Sequence, residues 1–454
     1  MNTTTVAAAV SIPRAGFVVP LALAGSFVAN LGAQFAGAHV SDIQAGLHAS
    51  ASDASWIITL YTVATFFAFA LSPLLARTFG IRRLFLASAA VFAVAAGVGA
   101  NASGLSVLLA ARVAQGLAGG MFGPLAFVAI FRAWSGPRLP FGFALLAIVL
   151  LVSFNAGPAL AAPIEAASGW RALFLAQVML AVPLIFAGLF WLPKAPLNLN
   201  GHRGEWFTLS LLAIATGSLV VLVGQGARRG WFDSGLMVSM ALLSLTAWTG
   251  FVIAHRLSPV RVLDGRKLLD RRFGIPIALN FVFRASFATT VYLLPLLLAA
   301  SRADGRSELW WLLLPQIVAF PLVWSWLQRV DHRVPMAVGL VSIAAGIGAA
   351  GLATLLLPGL VLIGVGQVLF LVPALMTGAS SLKAEHGPTA TIVFNMTTVG
   401  GTTLAVGLLS TWVSARMALP ALTWPAINQA FLLLAVALLL VTPFVACIGR
   451  PRPL

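Results

Sequence analysis

The chain has 454 residues, of which 60% are hydrophobic and only 8% are charged, and its mean hydropathy is +1.01. Soluble domains carry about 25% charged residues, so this composition excludes a soluble protein. The net charge of +16 could indicate nucleic-acid binding, but Lys and Arg lie in short clusters between apolar runs rather than in one patch. This distribution is typical of the loops of a membrane protein, and we expect no nucleic-acid partner.

Fourteen apolar runs are long enough to cross a hydrocarbon core about 30 Å thick. The first run, from Gly16 to His39, is too long for the apolar region of a signal peptide, so we expect it to be retained as a helix. In chain order the predicted spans are 16–39, 55–76, 84–101, 104–131, 139–164 and 170–193, then 207–226 and 234–255, then 273–301, 307–328, 335–357, 359–380, 388–414 and 426–448.

The spans fall into groups of six, two and six, separated by a polar linker at 194–205 and a basic linker at 256–272. We therefore predict an all-α integral membrane protein, with an N-terminal six-helix bundle at 1–206 and a C-terminal six-helix bundle at 273–454. Two inserted helices and the basic linker fill 207–272. Two such bundles around a site near the bilayer midplane are the usual layout for transport by alternating access.

The basic residues predict the orientation. With the N-terminus inside, nineteen of the 27 Lys and Arg residues fall on the cytoplasmic side and six on the outer side. This bias favours both termini in the cytoplasm and an even number of spans. The remaining two, Arg112 and Arg284, lie inside spans 4 and 9.

Several segments match motifs of one transporter family in order and spacing over roughly 17–260. They are "SWIITLYTVA" (Trp56, Tyr61), "LLAARVAQGLAGGMFGP" (Arg112, Gln115, Gly116), "NAGPALAAP" (Gly157, Pro158), "GWRALF" (Trp170, Arg171, Phe174), "GQGARRGWFDS" and, more faintly, "NMTTVGGTTLAVG" in span 13. In these segments the chain resembles the fourteen-span drug:proton antiporter branch of the major facilitator superfamily, the QacA/EmrB type.

The resemblance implies the fold of that superfamily and a secondary transporter rather than an enzyme, without a cofactor, in a bacterial plasma (inner) membrane. It also implies a small-molecule substrate, protons as the coupling ion and, where there are two membranes, a periplasmic adaptor protein, which the chain itself does not show. The sequence departs from the family pattern at five places. They are Gly32 in place of the span 1 acid, Arg77 in place of a loop aspartate, Ala161 and Ala162 in place of glycines, and Thr397 where an arginine is common. The fold therefore carries over, whereas the coupling chemistry of the family does not.

The two arginines inside spans are the most specific candidates for substrate-binding or coupling residues. Arg112 lies about eight residues, or about 12 Å, into span 4, and Arg284 lies about eleven residues into span 9. An arginine in hydrocarbon costs about 2.5–3.5 kcal/mol, so it normally faces a cavity or a partner. Asn280 is one turn before Arg284, and the pair could bind a carboxylate, a phosphate or a carbonyl group. The alternative for both arginines is a structural tie between helices.

Other polar and small residues are weaker candidates. Ser26, Asn30 and Gln34 form one stripe on span 1 that either lines a cavity or joins helices. His39 is the only histidine expected at membrane depth, as a proton carrier or as a structural residue. The eleven acids all fall in loops or at span ends, among them Asp42 and Glu165 at the outer ends of spans 1 and 5.

The predicted substrate-binding or coupling residues are Arg112, Arg284, Asn280, Asn30, Gln34, Gln115, Asn155 and His39. The predicted conformational residues are Gly157 and Pro158, which bend span 5, and Gly80, Arg82 and Arg83, which keep the family's loop pattern. Simple helix packing is the alternative for the glycines.

We predict an exporter for an amphipathic, anionic or neutral small molecule, because two arginines and no acid lie deep in the spans. An importer or facilitator for an organic anion is one alternative, and a non-transporting membrane scaffold or sensor is another. The sequence has no nucleotide-binding loop, no hydrolytic triad and no metal-ligand spacing, and its single cysteine is Cys447. We therefore expect no ATP hydrolysis, no cofactor and no metal.

Overall fold

The computed structural model describes residues 15–134, 136, 138–198, 203–258, 263, 265–301, 309–352, 355–382, 386–417 and 423–449. Within these ranges the regular structure is entirely helical. The longer helices of the N-terminal bundle are α1 (Ala15–Ala38), α2 (Trp56–Ala100), α3 (Leu105–Gly119), α4 (Phe122–Ala133), α5 (Arg138–Ser168) and α6 (Trp170–Trp191). The short helices Val40–Gly46 and Ala51–Ala54 connect α1 to α2.

The inserted pair consists of α7 (Arg203–Gln225) and α8 (Gly235–Leu257). The C-terminal bundle contains α9 (Gly274–Phe283), α10 (Leu294–Ser301), α11 (Trp310–Leu327), α12 (Arg333–Gly351), α13 (Leu356–Ser380), α14 (Gly387–Met417) and α15 (Thr423–Val441). Because α7 begins at Arg203, the predicted boundary after residue 206 falls inside its first turn.

The number of membrane crossings follows from helix length. Thirteen helical segments among the described residues are long and apolar enough to cross a bilayer, and one of them, Ala51–Ala100, has 50 residues. At 1.5 Å per residue it extends about 75 Å, enough for two crossings. The predicted fold of about fourteen spans is therefore confirmed.

The two crossings of α2 meet at Gly80. The prediction of a loop at 77–83 is wrong, because the chain stays helical there except at Gly80, whose φ of 80° and ψ of 156° turn it sharply. A side chain would be strained at this positive φ, and its Cβ would lie 3.0 Å from the Cβ of Ala195. Glycine at this position lets two spans follow each other without a connecting loop.

The prediction of one continuous helix over 273–301 is also wrong. The helix α9 ends at Phe283, a 3₁₀ turn covers Arg284–Ser286, and a π-helical turn covers Thr289–Leu293 before α10 begins. Ser and Thr side chains offer the backbone competing hydrogen bonds, and Thr290 Oγ1 donates to the carbonyl of Phe287 at 3.1 Å. Pro295, four residues after Val291, cannot complete the normal helical bond. These residues account for the break.

The inserted pair lies on one flank of the molecule. The helix α7 packs against both α2 and α14, whereas α8 packs on α7 and leaves most of its own surface exposed. Gln225 joins α7 to the N-terminal bundle, since it donates to Thr59 at 2.6 Å and accepts from Ser55 at 3.1 Å. The side of the molecule that contains Gly80 is called the basic side below, and the side that contains His39 is called the opposite side.

Candidate functional site

Arg284 lies where span 9 is broken. It is ten residues from the start of α9, or about 15 Å along the helix axis, which places it near the middle of the membrane. The carbonyl of Arg284 accepts a hydrogen bond from Thr402 Oγ1 of α14 at 3.0 Å, in addition to the backbone bond that closes the 3₁₀ turn. The helix α14 comes this close because Gly401 has no side chain, and a Cβ there would lie 2.9 Å from the Cβ of Arg284. The fold therefore fixes the position of Arg284 firmly.

The side chain of Arg284 is 2% exposed, but its polar atoms are not satisfied. Its Nε and Nη2 find no hydrogen-bond partner among the described residues, and no ion pair found there includes it. Three further side-chain atoms of the same segment are buried without a hydrogen-bond partner. They are Asn280 Oδ1, Ser286 Oγ and Thr289 Oγ1. Such a group of unpaired polar atoms is costly unless a ligand or water completes it.

Aromatic rings give Arg284 partial compensation. Its guanidinium carbon lies 4.9 Å from the ring centre of Phe287 and 5.7 Å from that of Phe283. Cation–π contacts contribute about 0.5–2 kcal/mol, less than the cost of burying a cation. The guanidinium therefore retains donors for an anion.

This segment faces the N-terminal bundle. Phe287 packs edge-to-face on Phe154 of α5, with ring centres 4.5 Å apart. Next to Phe154, Asn155 Nδ2 donates to Gln367 Oε1 of α13 at 3.1 Å, and Gln316 Nε2 of α11 donates to the same oxygen at 2.7 Å. The predicted site residue Asn155 therefore takes part in a buried amide cluster that joins the two bundles.

A small cavity of about 10 Å³ reaches Asn280 on the side of the C-terminal bundle that faces Phe127. Phe127 and Phe394, one from each bundle, line it with their rings 5.1 Å apart. Asn280 Nδ2 lies 3.4 Å from the hydroxyl oxygens of both Thr397 and Thr398. Thr397 is the residue found where the family often has an arginine, so at this position a hydroxyl group contacts Asn280.

Arg112 has a different environment, although it is equally buried at 1% exposed. Its Nη1 donates to Gln115 Oε1 at 3.0 Å and its Nε donates to the carbonyl of Ile57 at 3.4 Å. Its guanidinium carbon lies 4.0 Å above the ring of Tyr61. Gln115 in turn donates to Gln177 Oε1 of α6 at 3.0 Å. Arg112 thus begins a hydrogen-bonded network of neutral groups that joins α2, α3 and α6.

The same network explains the missing acid in α1. A Cβ on Gly32 would lie 2.6 Å from Gln177 Oε1 and 2.9 Å from Phe92 Cζ. The space for a side chain at position 32 is therefore filled by the amide of Gln177. Sequence reasoning missed Gln177, Gln316 and Gln367; a glutamine inside an apolar span was the available signal.

The polar stripe of α1 is largely satisfied within its own helix. Ser26 Oγ donates to the carbonyl of Ala22, and Asn30 Nδ2 donates to the carbonyl of Ser26 at 2.8 Å. Gln34 packs directly on Gly157 of α5, where a Cβ would collide with it. Gly157 thus allows close approach of α1 and α5, and α5 remains helical through Pro158 to Ser168.

The loop motif on the basic side contacts both α6 and the inserted pair. Arg82 Nη2 donates to the carbonyl of Leu189 at 2.8 Å, and Arg83 is exposed. Arg77, which replaces the loop aspartate, forms an ion pair with Glu205 in the first turn of α7. The arginine at position 77 is therefore balanced by an acid of the inserted pair.

His39 lies in the short turn after α1 and is 2% exposed. Its Nδ1 is 2.8 Å from Asp42 Oδ2 and 3.9 Å from Glu165 Oε2 of α5. One ring nitrogen and two carboxylate oxygens thus lie within 4.8 Å of one another on the opposite side. The sequence placed Asp42 and Glu165 at span ends, but not beside His39. Four of the eleven acids, Asp264, Asp304, Glu308 and Glu385, lie outside the described residues.

The architecture is that of a multi-pass membrane protein with two six-span bundles, an inserted pair and polar groups buried between the bundles. The profile of the Major Facilitator Superfamily matches residues 22–405, so the chain belongs to this superfamily. The family predicted from the motifs is thereby confirmed.

Two bacterial relatives show how far the similarity extends. The chain is 25% identical over 322 residues to the probable multidrug resistance protein EmrY of Escherichia coli (strain K12), covering 69% of this chain and 62% of EmrY. It is 25% identical over 287 residues to the fatty acid resistance protein FarB of Neisseria gonorrhoeae, covering 63% of this chain and 56% of FarB. The chain therefore spans less than two thirds of the length of either relative.

The fold is also similar to solved transporter structures. The crystal structure of the human organic anion transporter MFSD10 (TETRAN) matches with a TM-score of 0.60 at 15% identity. The match covers 95% of this chain and 100% of that chain, and it shows similarity of fold alone.

Proposed function

We propose that the chain is a secondary active exporter of amphipathic small molecules that are anionic or neutral, working by alternating access. The observation that carries the charge class is Arg284, a buried cation without an acidic partner among the described residues, beside Asn280 and at the interface of the two bundles. A carboxylate, phosphate or sulfonate group would satisfy its free donors in the geometry that arginine favours. A neutral substrate would use a carbonyl oxygen there.

The surroundings of Arg284 account for the amphipathic class. Phe283 and Phe287 lie beside the guanidinium, Phe154 packs on Phe287, and Phe127 lines the cavity at Asn280, so the polar groups have apolar neighbours that suit a molecule with a hydrophobic body. The names of EmrY and FarB, which concern resistance to drugs and to fatty acids, support export as the direction of transport.

The cavity has a volume of about 10 Å³, room for about one water molecule, whereas drug-sized ligands require about 300–1,000 Å³. The conformation described is thus a closed one, and the bundles must separate for a substrate to enter. The rings of Phe127 and Phe394 and the amides of Asn155 and Gln367 are contacts that would part as this happens.

Reconstituted protein tests this proposal. We expect proteoliposomes containing the chain to exchange anilinonaphthalene sulfonate, a fluorescent amphipathic anion, and to transport ethidium, a lipophilic cation, weakly or not at all. Protein-free vesicles are the control for leakage. Robust ethidium transport without sulfonate exchange would contradict the charge assignment, and exchange of neither probe would favour a scaffold or sensor.

The direction of transport and the orientation of the chain in the membrane are tested in cells. We propose a bacterial inner membrane with both termini in the cytoplasm, so reporter fusions after Arg83, Arg138, Arg266 and Leu454 should read cytoplasmic. Fusions near Asp53, Arg229 and Asp304 should read external. Lower retention of the sulfonate in expressing cells supports export, whereas higher retention supports an organic-anion importer. A periplasmic adaptor, if one is used, should copurify after cross-linking.

A further inference from the structure

The loop that joins α7 to α8, residues 226–234, has one defined shape and contains two adjacent arginines, Arg228 and Arg229. The amide of Trp231 donates to the carbonyl of Gly226 at 2.8 Å, and a Cβ on Gly226 would lie 2.5 Å from the ring of Trp231. Because the ring closes over the glycine, the two arginines are held at defined positions. The loop belongs to one of the motifs matched in the sequence, and the substrate site proposed above makes no use of it.

The loop lies on the opposite side and reaches both bundles. The guanidinium carbon of Arg229 lies 5.4 Å from the ring centre of Trp56 at the start of α2. Trp56 is 24 residues, or about 36 Å, from Gly80 along α2, so it lies on the opposite side. Arg228 is near enough to Tyr292, in the π-helical turn of span 9, for its charge to act on the phenol group. One arginine therefore neighbours the N-terminal bundle and the other neighbours the C-terminal bundle.

The loop lies farther toward the opposite side than Arg284 does, on the same flank. Tyr292 follows Arg284 by eight residues, or about 12 Å at the helical rise. On α14, Gly401 packs on Arg284, whereas Gly407, six residues or about 9 Å farther along, packs on Val223 near the end of α7. An anion that leaves Arg284 along span 9 and α14 toward the opposite side therefore comes to this loop.

The side chains of Arg228 and Arg229 have free hydrogen-bond donors. Neither side chain takes part in a hydrogen bond or an ion pair found among the described residues, and Arg229 Nε is buried without a partner. Two acids lie nearby in the chain, Asp233 in the loop and Asp53 before α2, and both are exposed. Two adjacent cations attract an anion, and a guanidinium binds a carboxylate or sulfonate through two parallel hydrogen bonds.

We propose that Arg228 and Arg229 form a release site, which receives the carboxylate, sulfonate or phosphate group of the substrate on the opposite side after it leaves Arg284. The inference rests on the proposed exporter function. The two sites differ in access to water, since Arg284 is 2% exposed, whereas Arg228 is exposed and Arg229 is half-buried. Water and salt compete for exposed cations, so the release site holds the anion more weakly than Arg284 does, as release requires.

The neighbours of the release site suit an amphipathic molecule. An aromatic residue accompanies each arginine, Trp56 beside Arg229 and Tyr292 beside Arg228, and offers apolar surface to a hydrophobic body. Gln225 at the start of the loop is bonded to α2. When the bundles separate on the opposite side, the loop therefore remains with α2 at the edge of the opening.

Inhibition from each side of the membrane tests the release site. Right-side-out and inverted vesicles from expressing cells expose the two sides of the full chain separately, and the reporter fusions identify the vesicle that exposes the opposite side. The probe is naphthalene trisulfonate, a multiply charged anion that does not cross the membrane. It is added outside the vesicles while exchange of anilinonaphthalene sulfonate is measured. We expect it to inhibit exchange when it is added on the opposite side.

The double variant Arg228→Gln/Arg229→Gln should weaken this inhibition about two- to tenfold, because each exposed charged contact contributes little. Raising the ionic strength from about 0.01 M to about 0.15 M shortens the Debye length from about 30 Å to about 8 Å. This change should weaken inhibition of the wild type and leave that of the double variant nearly unchanged. Arg171→Gln is the matched control and should be inhibited like the wild type, because Arg171 is also an exposed arginine over a tryptophan ring on the opposite side.

The inhibition constant does not depend on the amount of folded protein, and the two single variants, each with part of the effect, serve if the double variant does not fold. Equal inhibition of the wild type and the double variant overturns the release site and leaves the exporter function standing. Inhibition from the basic side alone overturns it as well, whereas absence of exchange in wild-type vesicles rejects both proposals.

A phospholipid phosphate is the other anion with the right charge for the two arginines. Thermal unfolding in detergent with added phosphatidylglycerol distinguishes it from the substrate. If this lipid stabilises the wild type but not the double variant, and inhibition by the trisulfonate is the same in both, the arginines bind lipid and the release site is rejected.

Discussion

Two arginines are buried in the two bundles, and their surroundings differ. Arg112 lies within the regular helix α3 and gives its donors to Gln115 and to the carbonyl of Ile57, with the ring of Tyr61 beneath it. Arg284 lies at a break in span 9, has two phenylalanine rings beside it and keeps Nε and Nη2 without a partner. Equal burial therefore does not mean an equal role.

The two arginines differ in whether protein groups accept the hydrogen bonds of the guanidinium. A buried cation that the protein itself solvates contributes to packing, and its removal leaves the partner groups unsatisfied. A buried cation that the protein solvates only in part is ready for a ligand. We therefore propose substrate contact for Arg284 and a structural role for Arg112, which was the alternative that the sequence left open for it.

The largest expected effect is that of Arg284→Ala. If Arg284 contacts an anion, the lost contact is worth about 1.5–3 kcal/mol, as for hydrogen bonds to charged groups. Affinity for anilinonaphthalene sulfonate should then fall about ten- to hundredfold. Arg284→Lys should restore little, because an ammonium group cannot reproduce the two-pronged contact. Fluorescence titration of purified protein measures the affinity.

Arg416→Ala is the matched control for that variant, because Arg416 also lies over an aromatic ring, Trp412, but is exposed. Its affinity for the sulfonate should equal that of the wild type. A loss of folded Arg284→Ala in step with activity, with unchanged transport per molecule, would contradict substrate contact.

Arg112→Ala should lower the stability of the protein and leave its affinity for the sulfonate unchanged. Its removal leaves Gln115 Oε1 and the carbonyl of Ile57 short of a donor, at a cost of about 1–3 kcal/mol per buried group. We expect a lower thermal stability in detergent and less protein in the membrane, while the surviving protein binds the sulfonate normally. Weakened affinity at unchanged stability would mean that the two arginines act alike, and the comparison would fail.

The smallest expected effect concerns the packing behind Arg112. Gly32→Ala would place a Cβ within 2.6 Å of Gln177 Oε1, and such overpacking costs about 1–3 kcal/mol, less if the flexible Gln177 side chain can move aside. Gly37→Ala in the same helix is the control, since a Cβ there meets nothing within 4 Å. Thermal unfolding in detergent should separate the two variants. Equal stability would show that Gln177 gives way freely and does not hold the network in place.

The sequence predicted the spans and the two arginines because apolar run length and isolated charges are local features. It also named Asn280 and Asn155, which lie near the bundle interface. The break at Arg284 was missed, since the hydropathy of 273–301 is continuous and only Ser286, Thr289 and Pro295 hinted at it. Hydropathy records where a helix can lie, but not which of its hydrogen bonds are shifted.

Contacts between residues far apart in the chain could not be predicted from the sequence for another reason. Glu205 reaches Arg77 from another part of the chain, and Gln177 fills the space beside Gly32 from α6. No motif along the chain encodes these contacts, because they depend on how the helices are arranged. The sequence therefore shows Arg77 and Gly32 only as departures from the family pattern, without the residues that contact them.

The helix α7 touches both bundles, and that has a consequence for motion. On the side of α2 it is held by Gln225, and on the side of α14 a Cβ at Gly407 would lie 2.7 Å from the carbonyl oxygen of Val223. When the two bundles move relative to each other, α7 can stay fixed to one bundle only if it slides along the other. Any separation of the halves must therefore break or slide the contact of α7 with α14 on this flank, in addition to the contacts of α5 with α11 and α13.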